Sequence, residues 1–408
     1  MKHISFKVSA VLILFVSLNA NSYSQWVKTN WPASADTTFT VHLALDGSAL
    51  YAGTTAGAFR TMNDGLSWTD INNGLPREYV NAMVIFMGGL YVGTDGAGGL
   101  FRTSDDGGSW TNLNVTNTGV NAVFVSNSTI LAGTGLNGLK VSTDNGSTWS
   151  TVAGHGSTSV WAFANIGTNW FAGTDGEGVL LSKDNGATWS AVNSGLGNLH
   201  IQSFLVQGTT LYVTTAGGSG AGVYVSKSYG SNWTKVSNGL PADYVFGLAA
   251  SGSNLFAAVG AASTTKGGIY CSTNNGSNWT AVNTGMTGIE SAGAPCVAAS
   301  SANLFTGGAG VWKRPLSDFS TAGVSHNSLG SGSVEVYPNP TTGAVTLRGA
   351  GAGQQDIRIS NMLGETIMRN TEQATGDLRL DLSSLPTGTY FLECNMRGSV
   401  ARKMIVKQ

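Results

Sequence analysis

From Gln25 to about Ser320 the chain alternates short apolar runs with punctuation rich in Gly, Asn, Asp and Ser. In the clearest stretch, Tyr79 to Pro241, a unit begins with an apolar run such as Val80-Asn81-Ala82-Met83-Val84. A second run follows and ends in Gly-Thr, as in Leu90-Tyr91-Val92-Gly93-Thr94. A third, Gly99-Leu100-Phe101-Arg102-Thr103, enters a polar turn, and a fourth leaves it from Trp110. The second run returns as Leu50-Tyr51-Ala52-Gly53-Thr54, Leu131-Ala132-Gly133-Thr134, Phe171-Ala172-Gly173-Thr174 and Leu211-Tyr212-Val213-Thr214. Runs this short, bounded by turn formers, predict strands and not helices.

The polar turn is the most regular feature. Ser142-Thr143-Asp144-Asn145-Gly146-Ser147-Thr148-Trp149 recurs around Asp105 and Asp184, with Asn63, Asn274 or Ser228 at the same position in weaker copies. The six copies end in Trp68, Trp110, Trp149, Trp189, Trp233 and Trp279, at successive spacings of 42, 39, 40, 44 and 46 residues. An Asx side chain accepts from backbone N–H groups ahead of it, and Gly tolerates positive φ, so the octapeptide is hairpin chemistry. The tryptophan starts the next strand and offers a large ring to the space between neighbouring sheets. Four strands per period of about 42 residues is the arithmetic of a β-propeller blade.

A seventh unit starts near Ile289, includes Asn303 to Gly307 and Gly310 to Lys313, and stops without a polar turn or fourth strand. Gln25-Trp26-Val27-Lys28-Thr29-Asn30 looks like an orphan fourth strand, and Trp26 lies 42 residues before Trp68. The N-terminal strand is therefore expected to complete the last blade, which removes the exposed edges of an open array.

The octapeptide resembles the Asp-box, or BNR repeat, of sialidase-like propellers. That resemblance implies a propeller and places the boxes on the face away from the active site. The repeat also resembles the photosystem assembly-factor propellers, which are non-catalytic binding proteins.

After a Gly/Ser-rich linker (321–332), Val334-Glu335-Val336-Tyr337-Pro338-Asn339-Pro340, Ile357 to Glu365, Leu382 to Leu392 and Lys403 to Lys407 alternate with Gly, Pro and Asn turns. This predicts a β-sandwich over 333–408. The motif blocks resemble the C-terminal sorting domain of the type IX secretion system, which implies that residues 333–408 engage that machinery and direct export across the outer membrane. Residues 1–24 are expected to be a signal peptide, with Lys2 and Lys7 before the apolar Val8–Leu18. That run is too short to span a bilayer, and no other segment is apolar enough, so the mature chain is expected to be extracellular or at the cell surface. The expected fold class is all-β: a seven-bladed propeller over 25–320 followed by a small Ig-like β-sandwich.

Composition narrows the chemistry. A net charge of −1, with scattered basic residues, gives no nucleic-acid footprint. Cys271, Cys296 and Cys394 lie far apart, with no metal spacing; free thiols are expected, although Cys271 and Cys296 could pair. No metal and no cofactor are implied.

In a propeller the loops joining fourth to first strands, and second to third, share the ligand face. Its candidates are Glu78, Tyr79, Asp95, His155, Trp161, Asp175, Glu177, His200, Asp243, Tyr244 and Glu290. Sialidases bind a substrate carboxylate with three convergent arginines. The propeller here offers Arg60, Arg77, Arg102 and Arg314, two of them in the same slot before their boxes, and the Arg-Ile-Pro motif is absent. Other glycoside hydrolases use opposed carboxylates about 5 to 10 Å apart. Asp95 with Asp175, or Glu78 with Asp243, are the pairs on offer. Catalytic residues are not identified. Two function classes remain: a non-catalytic propeller that binds a glycan or a surface protein, and a carbohydrate-active hydrolase.

Overall fold

The structure, a computed structural model, describes residues 25–319 and 335–407, apart from loop positions 33–34, 36–37, 97–98, 116–117, 136, 155–157, 242–243, 262–266, 288–292, 340, 349–351, 362–365 and 397–398. The signal-peptide and linker expectations, and the candidates His155, Asp243 and Glu290, lie outside the described residues. Two compact units divide near Ser320.

The first unit holds seven four-stranded antiparallel sheets. It is a seven-bladed β-propeller. Blade 2 is representative: Val80–Phe86, Gly89–Thr94, Leu100–Thr103 and Thr111–Asn112 pair in sequence order. Blades 1, 3, 4, 5 and 6 begin with Thr40–Asp46, Val120–Ser126, Val160–Ile166, Ile201–Gln207 and Val245–Ser251 and repeat that order. Blade 7 combines Val297–Ala299, Asn303–Thr306 and Trp312–Pro315 with the N-terminal Val27–Lys28, which pairs Val27 with Lys313 and Lys28 with Trp312. The first strands touch one another in a closed cycle, blade 7 meeting blade 1.

The Gly-Thr signature of the second strand has two separate causes. A Cβ on Gly53 would sit 2.5 Å from Val80 Cγ1, and one on Gly173 would sit 2.4 Å from Ile201 Cγ2. At these positions a side chain would push the second strand away from the first strand of the next blade, whereas blades 5 and 6 carry Thr214 and Ala258 at the same register. The threonine closes the second-to-third turn: the buried hydroxyls of Thr54, Thr134 and Thr174 donate to the carbonyls of Gly57, Gly138 and Gly178 at 2.9, 2.7 and 2.8 Å. The second strands are almost wholly buried, and each pair of neighbouring blades closes its own apolar cluster.

The second unit is a small β-sandwich. One sheet has three strands, Glu335–Tyr337, Ala344–Arg348 and Leu378–Asp381. The other has four, in the order Thr366–Thr375, Ala352–Ser360, Gly388–Met396, Ser399–Lys407. Period-2 alternation puts Ile357, Ile359, Tyr390, Leu392 and Cys394 in one buried core with Val345, Leu347 and Leu380, and leaves Phe391 facing solvent.

Candidate functional site

Two places on the propeller concentrate polar chemistry: the boxes, and the end of the axis where the first strands begin.

The boxes of blades 1 to 4 and 6 share one hydrogen-bond pattern. Asp144 Oδ1 accepts from Ser142 Oγ at 2.7 Å and from the Thr148 amide at 2.9 Å, while Oδ2 accepts from Thr148 Oγ1 at 2.6 Å. Ser142 Oγ in turn accepts from the Gly146 amide at 2.8 Å. Asp184 repeats this with Ser182, Gly186 and Thr188, and Asp105 with Thr103, Gly107 and Ser109. Asn63 and Asn274 keep the Oδ1 bonds. Donors converging on the anion hold Asp144 and Asp184 at about 2, chiefly through the Thr148 and Thr188 hydroxyls, and Asp105 at about 2, chiefly through Thr103. The tryptophans then tie blade to blade. Trp110, Trp149, Trp233 and Trp279 Nε1 donate to the carbonyls of Ile71, Leu113, Val192 and Val236 in the preceding blade at 2.6, 2.7, 2.7 and 2.8 Å. Trp68 reaches Thr29 Oγ1 at 3.2 Å, and Trp189 turns back to its own box at Gly186. The Oδ1 atoms of Asp105, Asp144 and Asp184 are thus satisfied from within their boxes, while Asp106 of the blade 2 box accepts from Tyr51 and pairs with Arg60 of blade 1.

At the axis the first strands are bulged. In blades 1 to 6 the pairing with the second strand slips by one residue between Thr40 and His42, Val80 and Ala82, Val120 and Ala122, Val160 and Ala162, Ile201 and Ser203, and Val245 and Gly247. A bulge frees one residue from the ladder and re-aims its side chain. The freed residues are Val41, Asn81, Asn121, Trp161, Gln202 and Phe246, and Pro295 holds the same register in blade 7. All seven line a cavity of about 740 Å³ at this end of the axis. Among the described residues no carboxylate, lysine or arginine lines it.

Asn81 Nδ2 donates to Asn121 Oδ1 at 3.2 Å. Trp161 and Phe246 are 38% and 39% exposed, large for aromatic side chains inside a ring, and Tyr244 stacks on Phe246 with centroids 6.1 Å apart. His42 stands in the wall with Nδ1 buried and unpartnered among the described residues, and burial pushes it down to about 4, so it is neutral at physiological pH. Burial likewise pushes the neighbouring Cys296 thiol up to about 12.

The candidates named from sequence divide around this cavity. Trp161 and Tyr79 line it; burial, the Cys296 thiol and Asp95 raise the Tyr79 phenol. Tyr244 reaches it through Phe246. Asp95 accepts from the Gly96 amide at 2.8 Å, and Glu78 has a buried Oε2 without a partner among the described residues. Asp175 and His200 are brought together, bridged by backbone and paired Oδ1 to Nδ1. Glu177 accepts from the Thr158 hydroxyl. Arg60 pairs with Asp106 at 3.2 Å, Arg77 with Asp70 at 2.5 Å and Arg314 with Asp318 at 3.0 Å, each within or between adjacent blades. The three cysteines are free and buried. Among the described residues no three His, Cys, Asp or Glu side chains gather as a metal would need. Asn81, Asn121, Gln202 and Phe246 escaped the sequence reading. Their signal is positional: each follows the buried Val or Ile that opens its first strand.

The C-terminal sandwich settles the address. Residues 335–408 match the secretion system C-terminal sorting domain. The sorting domain implies type IX export to the cell surface or extracellular space, and interaction with that machinery. No helix among the described residues is long and apolar enough to cross a membrane. No curated protein matches the chain in sequence. Solved structures share its fold. The extracellular domain of BT4673 from B. thetaiotaomicron, described as a hybrid two-component system, superposes with a TM-score of 0.57 at 15% identity over 93% of this chain and 52% of that one. This chain thus spans about half of that domain. The GH74 enzyme of Niastella koreensis gives 0.55 at 15% identity, over 91% and 73%. YCF48 from Cyanidioschyzon merolae gives 0.51 at 14% identity, over 72% and 98%. At these identities the likeness is one of fold alone.

Proposed function

We propose that the exported propeller is a non-catalytic binding protein whose ligand, a glycan or a surface protein, docks at the mouth of the axial cavity. One observation carries this reading: among the described residues the cavity is lined by aliphatic side chains, aromatic rings and three amides, and by no carboxylate. Most glycoside hydrolases use two carboxyl groups flanking the scissile bond. Among the described carboxylates at this end, Asp175 and Glu177 share the blade 4 loop and are held by His200 and Thr158, Asp95 is held by its own turn, and Glu78 has a buried Oε2; none of the four is in the cavity lining. The boxes are scaffold in this reading, because the carboxylates of Asp105, Asp144 and Asp184 are consumed by their own turns.

The polypeptide path agrees. A third strand runs from the mouth end to the box end, so Trp312–Pro315 delivers the chain to the box end. There Phe319 caps Asn254, whose Nδ2 donates to the Phe319 carbonyl at 2.5 Å. The propeller leaves its mouth free of its own exit strand.

Affinity electrophoresis of the propeller through gels containing soluble polysaccharides, with parallel assay of released reducing ends, tests the reading. Retardation without release is expected. Release of reducing ends above a boiled control would make the protein a hydrolase and overturn it.

A further inference from the structure

The seven ring positions differ in chemistry while everything around them repeats. The residue before the bulge is a buried Val or Ile at Val80, Val120, Val160, Ile201 and Val245, and the residue after it is Ala, Ser or Gly in those blades. Duplication of blades reproduces the frame, so a slot that departs from it six ways among seven blades is not explained by packing. Read around the axis from blade 1, the slot holds Val41, Asn81, Asn121, Trp161, Gln202, Phe246 and Pro295. Two hydrogen-bonded amides therefore stand beside the indole, and a third amide lies between the indole and the Phe246 ring.

We infer that this ring is a binding site for the end of a neutral saccharide chain, with pyranose C–H faces on Trp161 and Phe246 and hydroxyls on Asn81, Asn121 and Gln202. The inference rests on the binding reading above and adds the ligand class. Amide groups donate and accept at once, which suits hydroxyls that do the same. Aromatic faces supply apolar area at low cost in side-chain entropy. The described lining disfavours charge: a carboxylate, sulfate or ammonium drawn into the cavity loses its water and finds no counter-charge among those residues. A peptide terminus carries such a charge and is disfavoured for the same reason. The volume of about 740 Å³ falls within the range of small-molecule pockets and admits a chain end, not a folded domain.

Titration of the full chain with neutral trisaccharides (cellotriose, mannotriose, xylotriose, galactotriose), followed by tryptophan fluorescence, tests this. The comparison probes are trigalacturonic acid, sialyllactose and a neutral-side-chain tripeptide. Saturable quenching by at least one neutral sugar is expected, with affinity at least tenfold above either anionic probe. Trp161→Ala and Gln202→Ala, at exposed or half-exposed positions, should each weaken binding tenfold or more, read by calorimetry, with unchanged melting temperature. Gln202→Asn should recover part of it, and Tyr229→Asn, in the box of blade 5, should leave it intact. Absence of saturable binding by every neutral sugar, equal binding of an anionic probe, or binding that survives both Trp161→Ala and Gln202→Ala overturns the saccharide site. Tripeptide binding lost in Trp161→Ala also overturns it while leaving a binding propeller. Release of reducing ends overturns the non-catalytic reading instead.

Discussion

The indole Nε1 of Trp26 donates to the carbonyl of Val282 at 2.7 Å, joining residues 256 positions apart. The contact repeats the one that Trp279 makes to Val236 and Trp233 to Val192. Trp26 is thus a box tryptophan without a box, and it stands where the chain must close on itself. It is 2% exposed and packs with Phe256, Ile269, Leu304 and Trp312 across blades 6 and 7. Trp26→Ala should cost about 3–5 kcal/mol. Deleting residues 25–32 should lower the melting temperature further, and removing eight residues around Ser325 should leave it unchanged. Equal melting temperatures for the two deletions would count against closure of the ring by this strand.

Acid should unfold the propeller in two stages, because its perturbed groups titrate in different windows. His42 has a folded value of about 4 against 6.5 when unfolded. The unfolded chain binds the proton first, so stability is full above pH 6.5 and falls on the way to pH 4, by about 3 kcal/mol. The box aspartates go from 3.8 unfolded to about 2 folded. Their contribution is present above pH 3.8 and lost as pH falls toward 2. Denaturant unfolding across pH should show both slopes. His42→Leu should flatten the upper window only, and Asp144→Asn combined with Asp184→Asn the lower only.

The degenerate box of blade 5 offers a gain of stability. Tyr229 occupies the left-handed region at φ 54°, where the better boxes place Asn145 and Asn185 at 58° and 57°. A bulky residue is disfavoured there, and Asn is among the few tolerated. Ser228 replaces the Asx acceptor and sits 3.4 Å from Ser226 Oγ. Tyr229→Asn should stabilise by about 0.5–1 kcal/mol, and adding Ser228→Asp should raise the melting temperature again. Calorimetry of both variants decides it; a fall in melting temperature for Tyr229→Asn would mean the tyrosine ring contributes packing that outweighs its backbone strain.

What could be read before the structure follows from which features repeat. Turn chemistry and strand period are local, so Asp144-Asn145-Gly146 and Leu90–Thr94 announce a blade wherever they occur. The Gly of Gly-Thr was legible as a motif, but its cause, the approach of Gly173 to Ile201, belongs to packing between blades. The axial ring was not legible for the opposite reason. Asn81, Gln202 and Phe246 share no residue type, and they converge only because a bulge at the same register in each blade turns them to one axis. Charged residues attract notice in a sequence, yet Asp175 and Glu177 lie outside the cavity lining while neutral amides are inside it.

Export is tested apart from binding. The sorting domain occupies residues 335–408 and has a core of its own, with Leu347, Ile359, Leu382, Leu392 and Ile405 fully buried. The propeller has separate apolar clusters between its blades, so removing 333–408 should leave it folded. That truncated chain should accumulate in the periplasm of a host with type IX secretion, because the recognised address has gone. Fused to an unrelated periplasmic protein, residues 321–408 should carry the cargo to the surface or the medium. Leu392→Asp in the fusion, which buries an unpaired charge in the sandwich core, should abolish transfer. Cell fractionation with a cytoplasmic marker to exclude lysis reads all three. A truncated propeller that still reaches the medium would show that the address lies within the blades and not in the sandwich.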